Sequence, residues 1–184
     1  MLQSSSHTKR EMLMLKGKSN LVLIGLMGSG KTMVSKKLGQ LLGKKVISTD
    51  GLIEEKEGCP ISEIFKTSGE SYFRRLEREA VTEIVGLDDV IIDCGGGIVL
   101  DQENIDRLKE KGCLLYLSAG PDFLYEKIKQ QTNRPLLQVK DPKAKIKELL
   151  NERRHRYEQA DITVVSEGKS IDQICKEIVG LLKK

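Results

Sequence analysis

At 184 residues the chain is the size of one domain, long enough to bury a sizeable core without disulfide staples. Its composition, 39% hydrophobic and 32% charged, is ordinary for a soluble protein, and its apolar runs are too short to span a bilayer, which argues against a membrane protein. A formal charge of +4, with Lys and Arg scattered among Asp and Glu, suits anionic small ligands better than nucleic acid, and three Phe, four Tyr and no Trp leave little for base stacking.

In chain order, Met1 to Lys18 is polar and basic and reads as a disordered leader, with a transit peptide as the alternative; residues 19–184 read as one domain. Apolar, β-branched stretches recur at Leu21–Gly25, Lys45–Ser48, Val90–Asp93, Leu114–Ser118 and Ile162–Val165. Between them, helical periodicity predicts helices over Lys31–Leu42, Leu52–Glu57, Ile61–Ser68, Glu70–Val85, Gln102–Lys111, Pro121–Gln131, Pro142–Gln159 and Ile171–Lys183. This alternation predicts an α/β fold, a five-stranded parallel sheet flanked by helices. Cys59, Cys94, Cys113 and Cys175 lie far apart, which indicates neither a zinc site nor a disulfide framework and fits a reducing cytoplasm.

Gly25 to Thr32 read Gly-Leu-Met-Gly-Ser-Gly-Lys-Thr directly after the first strand, the G-x-x-x-x-G-K-[ST] phosphate loop in its required context. Backbone N–H groups around Gly28, Ser29 and Gly30, with the following helix N-terminus, would cradle the phosphates of a nucleoside triphosphate. Lys31 would reach the β- and γ-phosphates, and the Thr32 hydroxyl would ligate Mg²⁺.

The acceptor side is read from the segments that follow the other strands, because ligands of open α/β sheets bind beyond the strand carboxyl ends. Asp50 is placed either to engage substrate hydroxyls and take up a proton or to cap the next helix, and both readings stay open. Asp93 ends an apolar strand as a Walker B aspartate does, or is a turn residue. Gly95-Gly96-Gly97 predicts close approach of backbone to a small ligand. Arg74, Arg75 and Arg78 on one helix and Arg153, Arg154 and Arg156 on another are either solvated faces or a pair of clamps for an anionic substrate. Arg134, in Asn133-Arg134-Pro135-Leu136-Leu137, lies on a break from which it could swing over the γ-phosphate.

Together these residues resemble the shikimate kinases from about Asn20 to Lys184. The resemblance rests on the phosphate loop, Ser48-Thr49-Asp50, Gly69-Glu70-Ser71-Tyr72-Phe73-Arg74, Gly95-Gly96-Gly97, Arg134–Leu137 and Arg153 before Tyr157. It implies a nucleoside monophosphate kinase-like P-loop fold with substrate-binding helices at about 50–85 and a mobile lid at about 129–142. The implied activity is transfer of the ATP γ-phosphoryl group to the 3-hydroxyl of shikimate in a cytoplasmic monomer using Mg²⁺. The implied catalytic residues are Lys31, Asp50 and Arg134; Met33 and Lys127 join the phosphate loop and Arg134 at ATP. Arg74 and Arg153 would grip the substrate carboxylate, Asp50 and the Gly95–Gly97 backbone would hold the ring, and Glu77 would orient Arg74.

The chain departs from that pattern at two places. Lys127 stands where the family usually has an Arg against adenine, losing the planar stacking surface. Ser48 stands where the family has a metal-side Asp, and Asp93 where it usually has Ser, so carboxylate and hydroxyl are expected to have exchanged places, with Asp93 joining Thr32 at the metal. Other readings are a gluconate or nucleoside monophosphate kinase, or a nucleotide-binding regulator that has lost activity.

Overall fold

A computed structural model describes residues 18–129 and 139–183. The expected leader, up to residue 17, and the central part of the expected lid, with Arg134, therefore lie outside the described residues.

Five strands form the sheet: β1 (Asn20–Ile24), β2 (Lys45–Ser48), β3 (Val90–Asp93), β4 (Gly112–Ser118) and β5 (Ile162–Val165). All pair in parallel, in the order β2-β3-β1-β4-β5. The helices are α1 (Lys31–Leu42), α2 (Thr49–Glu57), α3 (Ile61–Ile84), α4 (Gln102–Lys111), α5 (Pro121–Ile128), α6 (Pro142–Tyr157) and α7 (Ile171–Leu181).

Alternation along β1 explains why this sheet is covered on both faces. Leu21 and Leu23 pack with Val34 and Leu38 of α1 and Ile174 and Ile178 of α7. Val22 and Ile24, on the other face, pack with Val81 and Ile84 of α3, Ile105 and Leu108 of α4 and Tyr157 of α6. Every β1 residue is buried, so hydrophobic transfer at about 1.5–3 kcal/mol per large aliphatic side chain holds the strand that feeds the phosphate loop.

Two boundaries differ from expectation in ways that bear on function. Helix α2 begins at Thr49, three residues early, because the Ser48 hydroxyl accepts a hydrogen bond from Gly51 N–H at 3.1 Å and caps it. The cap reading of Asp50 is thereby corrected: it lies inside the first turn. The two helices expected on either side of Gly69 are joined as α3, but Gly69 itself is non-helical (φ 79°, ψ 175°), so a kink survives where the sequence placed a break. Helix α5 ends at Ile128, short of the expected Gln131, and α6 and α7 end two residues early at Tyr157 and Leu181.

Candidate active site

The carboxyl ends of β1, β2 and β3 open onto two adjoining cavities. The first, of about 370 Å³, is lined by the phosphate loop (Gly28, Gly30, Lys31, Thr32), Met33, Ser48, Asp93, Gly95 and Lys127. The second, of about 250 Å³, is lined among others by Glu54, Phe65, Phe73, Arg74, Glu77 and Arg153. Met27, Asp50 and Gly96 belong to both, so Asp50 stands at the boundary between them.

In the first cavity the loop has the shape its glycines predict. Gly28 and Gly30 adopt left-handed backbone (φ 84° and 95°) that other residues rarely take. The Lys31 ammonium folds onto the loop, donating to Gly25 O at 2.8 Å and Leu26 O at 3.3 Å. Ser29 Oγ is buried without a hydrogen-bond partner among the described residues, as suits a group awaiting an anionic ligand. Lys127 extends its ammonium over the Phe123 ring at 5.1 Å, at the far rim of the same cavity. Met33 is 61% exposed there, an open apolar surface beside the loop.

Asp93 ends β3 beside Ser48, its register partner on β2. Burial pushes its carboxyl up from the ordinary value, against the opposing pull of Lys31 and a hydrogen bond from the Thr32 hydroxyl. One carboxylate and one hydroxyl, with no cluster of three His, Cys, Asp or Glu among the described residues, is a donor set for Mg²⁺ that takes its remaining ligands from phosphates and water. The residues present therefore fit that ion.

The second cavity is built around two arginines. Arg74 donates from Nη1 to Glu77 Oε2 at 2.6 Å and from Nη2 and Nε to Glu70 Oε1 at 2.7 and 3.2 Å. Burial works against its charge, but Glu77 and Glu70 outweigh burial and hold the guanidinium protonated. Glu77 is 1% exposed, and burial raises its carboxyl to about 7 even though Arg74 pulls the other way. Arg153 is 2% exposed and donates from Nη1 to Gly96 O at 3.0 Å, while its Nε and Glu77 Oε1 are buried with no hydrogen-bond partner among the described residues. Two such orphaned polar atoms in one cavity mark a place for a polar ligand.

The triple glycine has a steric reason. A Cβ at Gly95 would lie 2.2 Å from Asp50 Oδ1, and one at Gly97 would lie 2.0 Å from Arg74 Nη1. The backbone is bare there so that the acidic and basic groups of the acceptor cavity can lie against it. Gly96 O is itself engaged, by Arg153 and by the Tyr157 hydroxyl at 3.0 Å, so it is not an acceptor for ligand hydroxyls.

The fold also sorts the arginine clusters. Arg75 pairs with Glu79 at 3.7 Å and lies over Tyr72, Arg78 reaches Asp101, and Arg156 donates to Val99 O; only Arg74 and Arg153 of the two clusters line the cavity. Sequence reasoning gave no role to Tyr157 or to the Phe65–Phe73 ring pair (centroids 4.9 Å apart), although Phe73 and Tyr157 stand inside quoted motifs. The available signal was position: Phe73 directly precedes Arg74, and Tyr157 follows Arg153 by four residues.

The family model for shikimate kinase matches residues 27–183. The chain belongs to the shikimate kinase family. It is 44% identical over 160 residues to the shikimate kinase of Thermodesulfovibrio yellowstonii, covering 87% of this chain and 92% of that one. It is 42% identical over 171 residues to the shikimate kinase of Dehalococcoides mccartyi, covering 92% and 97%. A solved shikimate kinase from Acinetobacter baumannii, in complex with shikimate, superposes with a TM-score of 0.87 at 32% identity, covering 90% of this chain and 93% of that one. The P-loop kinase fold expected from the resemblance is thus the fold of this shikimate kinase family member.

Proposed function

We propose that this chain transfers the γ-phosphoryl group of ATP to the 3-hydroxyl of shikimate, giving shikimate 3-phosphate and ADP on the route to aromatic amino acids. One observation carries the reading most directly: the phosphate-loop cavity and the two-arginine cavity share Asp50 as a wall, so donor and acceptor can meet beside a carboxylate. Gluconate and nucleoside monophosphates also carry anions that arginine binds, so the pairing of Arg74 with Arg153 fits a small anionic acceptor in general, and the family match is what favours shikimate among them.

The residues would act as follows. Arg74 and Arg153 bind the shikimate carboxylate, with Glu77 holding the Arg74 guanidinium in place, and the N–H groups of Gly96 and Gly97 help to seat the ring, that of Gly95 being held by Thr49 Oγ1 at 2.8 Å. Asp50 hydrogen-bonds the attacking hydroxyl and takes its proton as the new O–P bond forms and the bond from γ-phosphorus to the ADP oxygen breaks. Lys31 leaves the Gly25 and Leu26 carbonyls for the β- and γ-phosphates, Ser29 and the loop N–H groups hold the phosphate chain, and Met33 and Lys127 border the nucleotide. Thr32 and Asp93 would hold Mg²⁺, which when bound neutralises phosphate charge. Arg134, outside the described residues, would add a second cation at the transferred group. Because phosphoryl transfer needs little covalent help, most of the rate comes from this positioning and charge stabilisation.

The reading as a cytoplasmic monomer rests on the family resemblance; among the described residues no helix is long and apolar enough to cross a membrane, and the four cysteines are free. The direct test is ADP release coupled to shikimate in the presence of ATP and Mg²⁺. Turnover with shikimate and none with gluconate or nucleoside monophosphates is the expected result. Absence of turnover with shikimate would favour the regulator reading.

A further inference from the structure

We propose that Tyr157 is a positioning residue for the acceptor site: its hydroxyl, acting together with Arg153 on the Gly96 carbonyl, fixes the peptide and the guanidinium that meet the substrate. The inference rests on the shikimate reading above and adds to it a residue outside both cavities.

Tyr157 lies one helical turn beyond Arg153 on α6, so the two side chains leave the same face of the helix. Both donate to Gly96 O, each at 3.0 Å. A carbonyl oxygen has two lone pairs, and here both are used. The Gly96–Gly97 peptide is trans, so the Gly97 N–H points opposite to Gly96 O, away from α6, from a residue that lines the acceptor cavity and faces Arg74 Nη1. Gly95 is tied by its N–H to Thr49 Oγ1 at 2.8 Å and by its carbonyl to Ile98 N–H, and Gly97 O accepts from Leu100 N–H, so the carbonyl of the glycine run left to be held is that of Gly96. The two α6 donors hold it from behind.

The same bonds orient Arg153. Nη1 is held by Gly96 O, Arg153 lines the acceptor cavity, and its buried Nε has no hydrogen-bond partner among the described residues. Tyr157 is a rigid base for this arrangement. It is 1% exposed, and its ring stacks on Tyr116 with centroids 4.7 Å apart and planes 4° from parallel. Burial raises the phenol above its ordinary value, so it remains a donor through the working pH range.

The test is steady-state kinetics of Tyr157→Phe, which keeps the ring and the stack and removes only the hydroxyl. Loss of one uncharged hydrogen bond should raise KM for shikimate about three- to tenfold while KM for ATP stays unchanged. Tyr116→Phe, which removes the hydroxyl from the other ring of the stack, should alter neither. Tyr157→4-aminophenylalanine, which restores a donor at the same place, should return KM for shikimate to near the wild-type value. An unchanged KM for shikimate in Tyr157→Phe, an equal rise for both substrates, failure of the amino variant to rescue, or loss of folding would overturn the proposal. A wild-type protein that turns over no shikimate would instead overturn the functional reading on which it rests.

Discussion

Ser48 and Asp93 are register partners on neighbouring strands, the last residues of β2 and β3, and the Ser48 hydroxyl is already engaged as the cap of α2. A carboxylate on either strand end would therefore lie beside the same region of the phosphate cavity, in accord with the expected exchange of Asp and Ser between the two positions. Asp93→Ser is expected to weaken apparent Mg²⁺ affinity and lower kcat, and Ser48→Asp combined with Asp93→Ser to recover much of both. Aspartate is as good a helix cap as serine, so the second change leaves α2 intact. A double-mutant cycle should show a coupling of about 0.5–3 kcal/mol, and additive losses would show that the two positions serve different ions.

Lys31→Met is expected to leave a folded protein with kcat lowered by about 10²–10³-fold or more, because the charge removed is aimed at the phosphates. Lys31 donates to the loop carbonyls of Gly25 and Leu26, and methionine can fill the same channel. Circular dichroism and coupled kinetics on one preparation separate the two effects; an unfolded variant would make the lysine structural.

Arg74→Ala and Arg153→Ala should raise KM for shikimate roughly 10- to 150-fold each, the scale of a lost charge-assisted hydrogen bond, with KM for ATP little changed. Equal effects on both substrates would mean that these arginines hold the fold rather than the ligand.

Two glycine substitutions should separate the roles of Asp50 and Arg74. The atoms that an added Cβ would strike are the far ends of side chains, Asp50 Oδ1 at Gly95 and Arg74 Nη1 at Gly97, so the fold should tolerate both changes. The site should not, since a displacement of about 1 Å can lower activity about 10²-fold. Gly95→Ala is expected to act mainly on kcat through Asp50, and Gly97→Ala mainly on KM for shikimate through Arg74. Matching kinetic profiles for the two variants would argue against this division.

Glu77 should leave a signature in the pH dependence of stability. Its folded carboxyl titrates near 7 against an ordinary 4.5, with burial the main cause. Between these values the unfolded chain has released a proton that the folded chain retains, so this group's stabilising contribution, complete below about 4.5, is lost as pH rises to 7. Relative to Glu77→Gln, the wild type should therefore lose stability across that window and level off above it. Urea midpoints of both proteins from pH 4 to 8 provide the measurement, and parallel curves would place the Glu77 carboxyl at its ordinary value.

What the sequence by itself determined was whatever depends on neighbouring residues along the chain. The phosphate loop after β1, the five apolar strands, the break at Gly69 and the order of the motifs are local patterns, and the local hydrogen bonding and steric rules they invoke act within a few residues. What only the tertiary structure decided was which side chains of a helix face the site. Arg74, Arg75 and Arg78 are equivalent as a basic cluster; the packing of Phe73, Leu76 and Glu77 against the core rotates α3 so that Arg74 alone enters the cavity. The same holds for Arg153 among its neighbours on α6, for Tyr157 beneath Gly96, and for the pairing of Ser48 with Asp93, residues 45 positions apart in sequence that sheet register brings side by side. Strand order and helix rotation are set by burial summed over the whole core, and no local spacing encodes that sum.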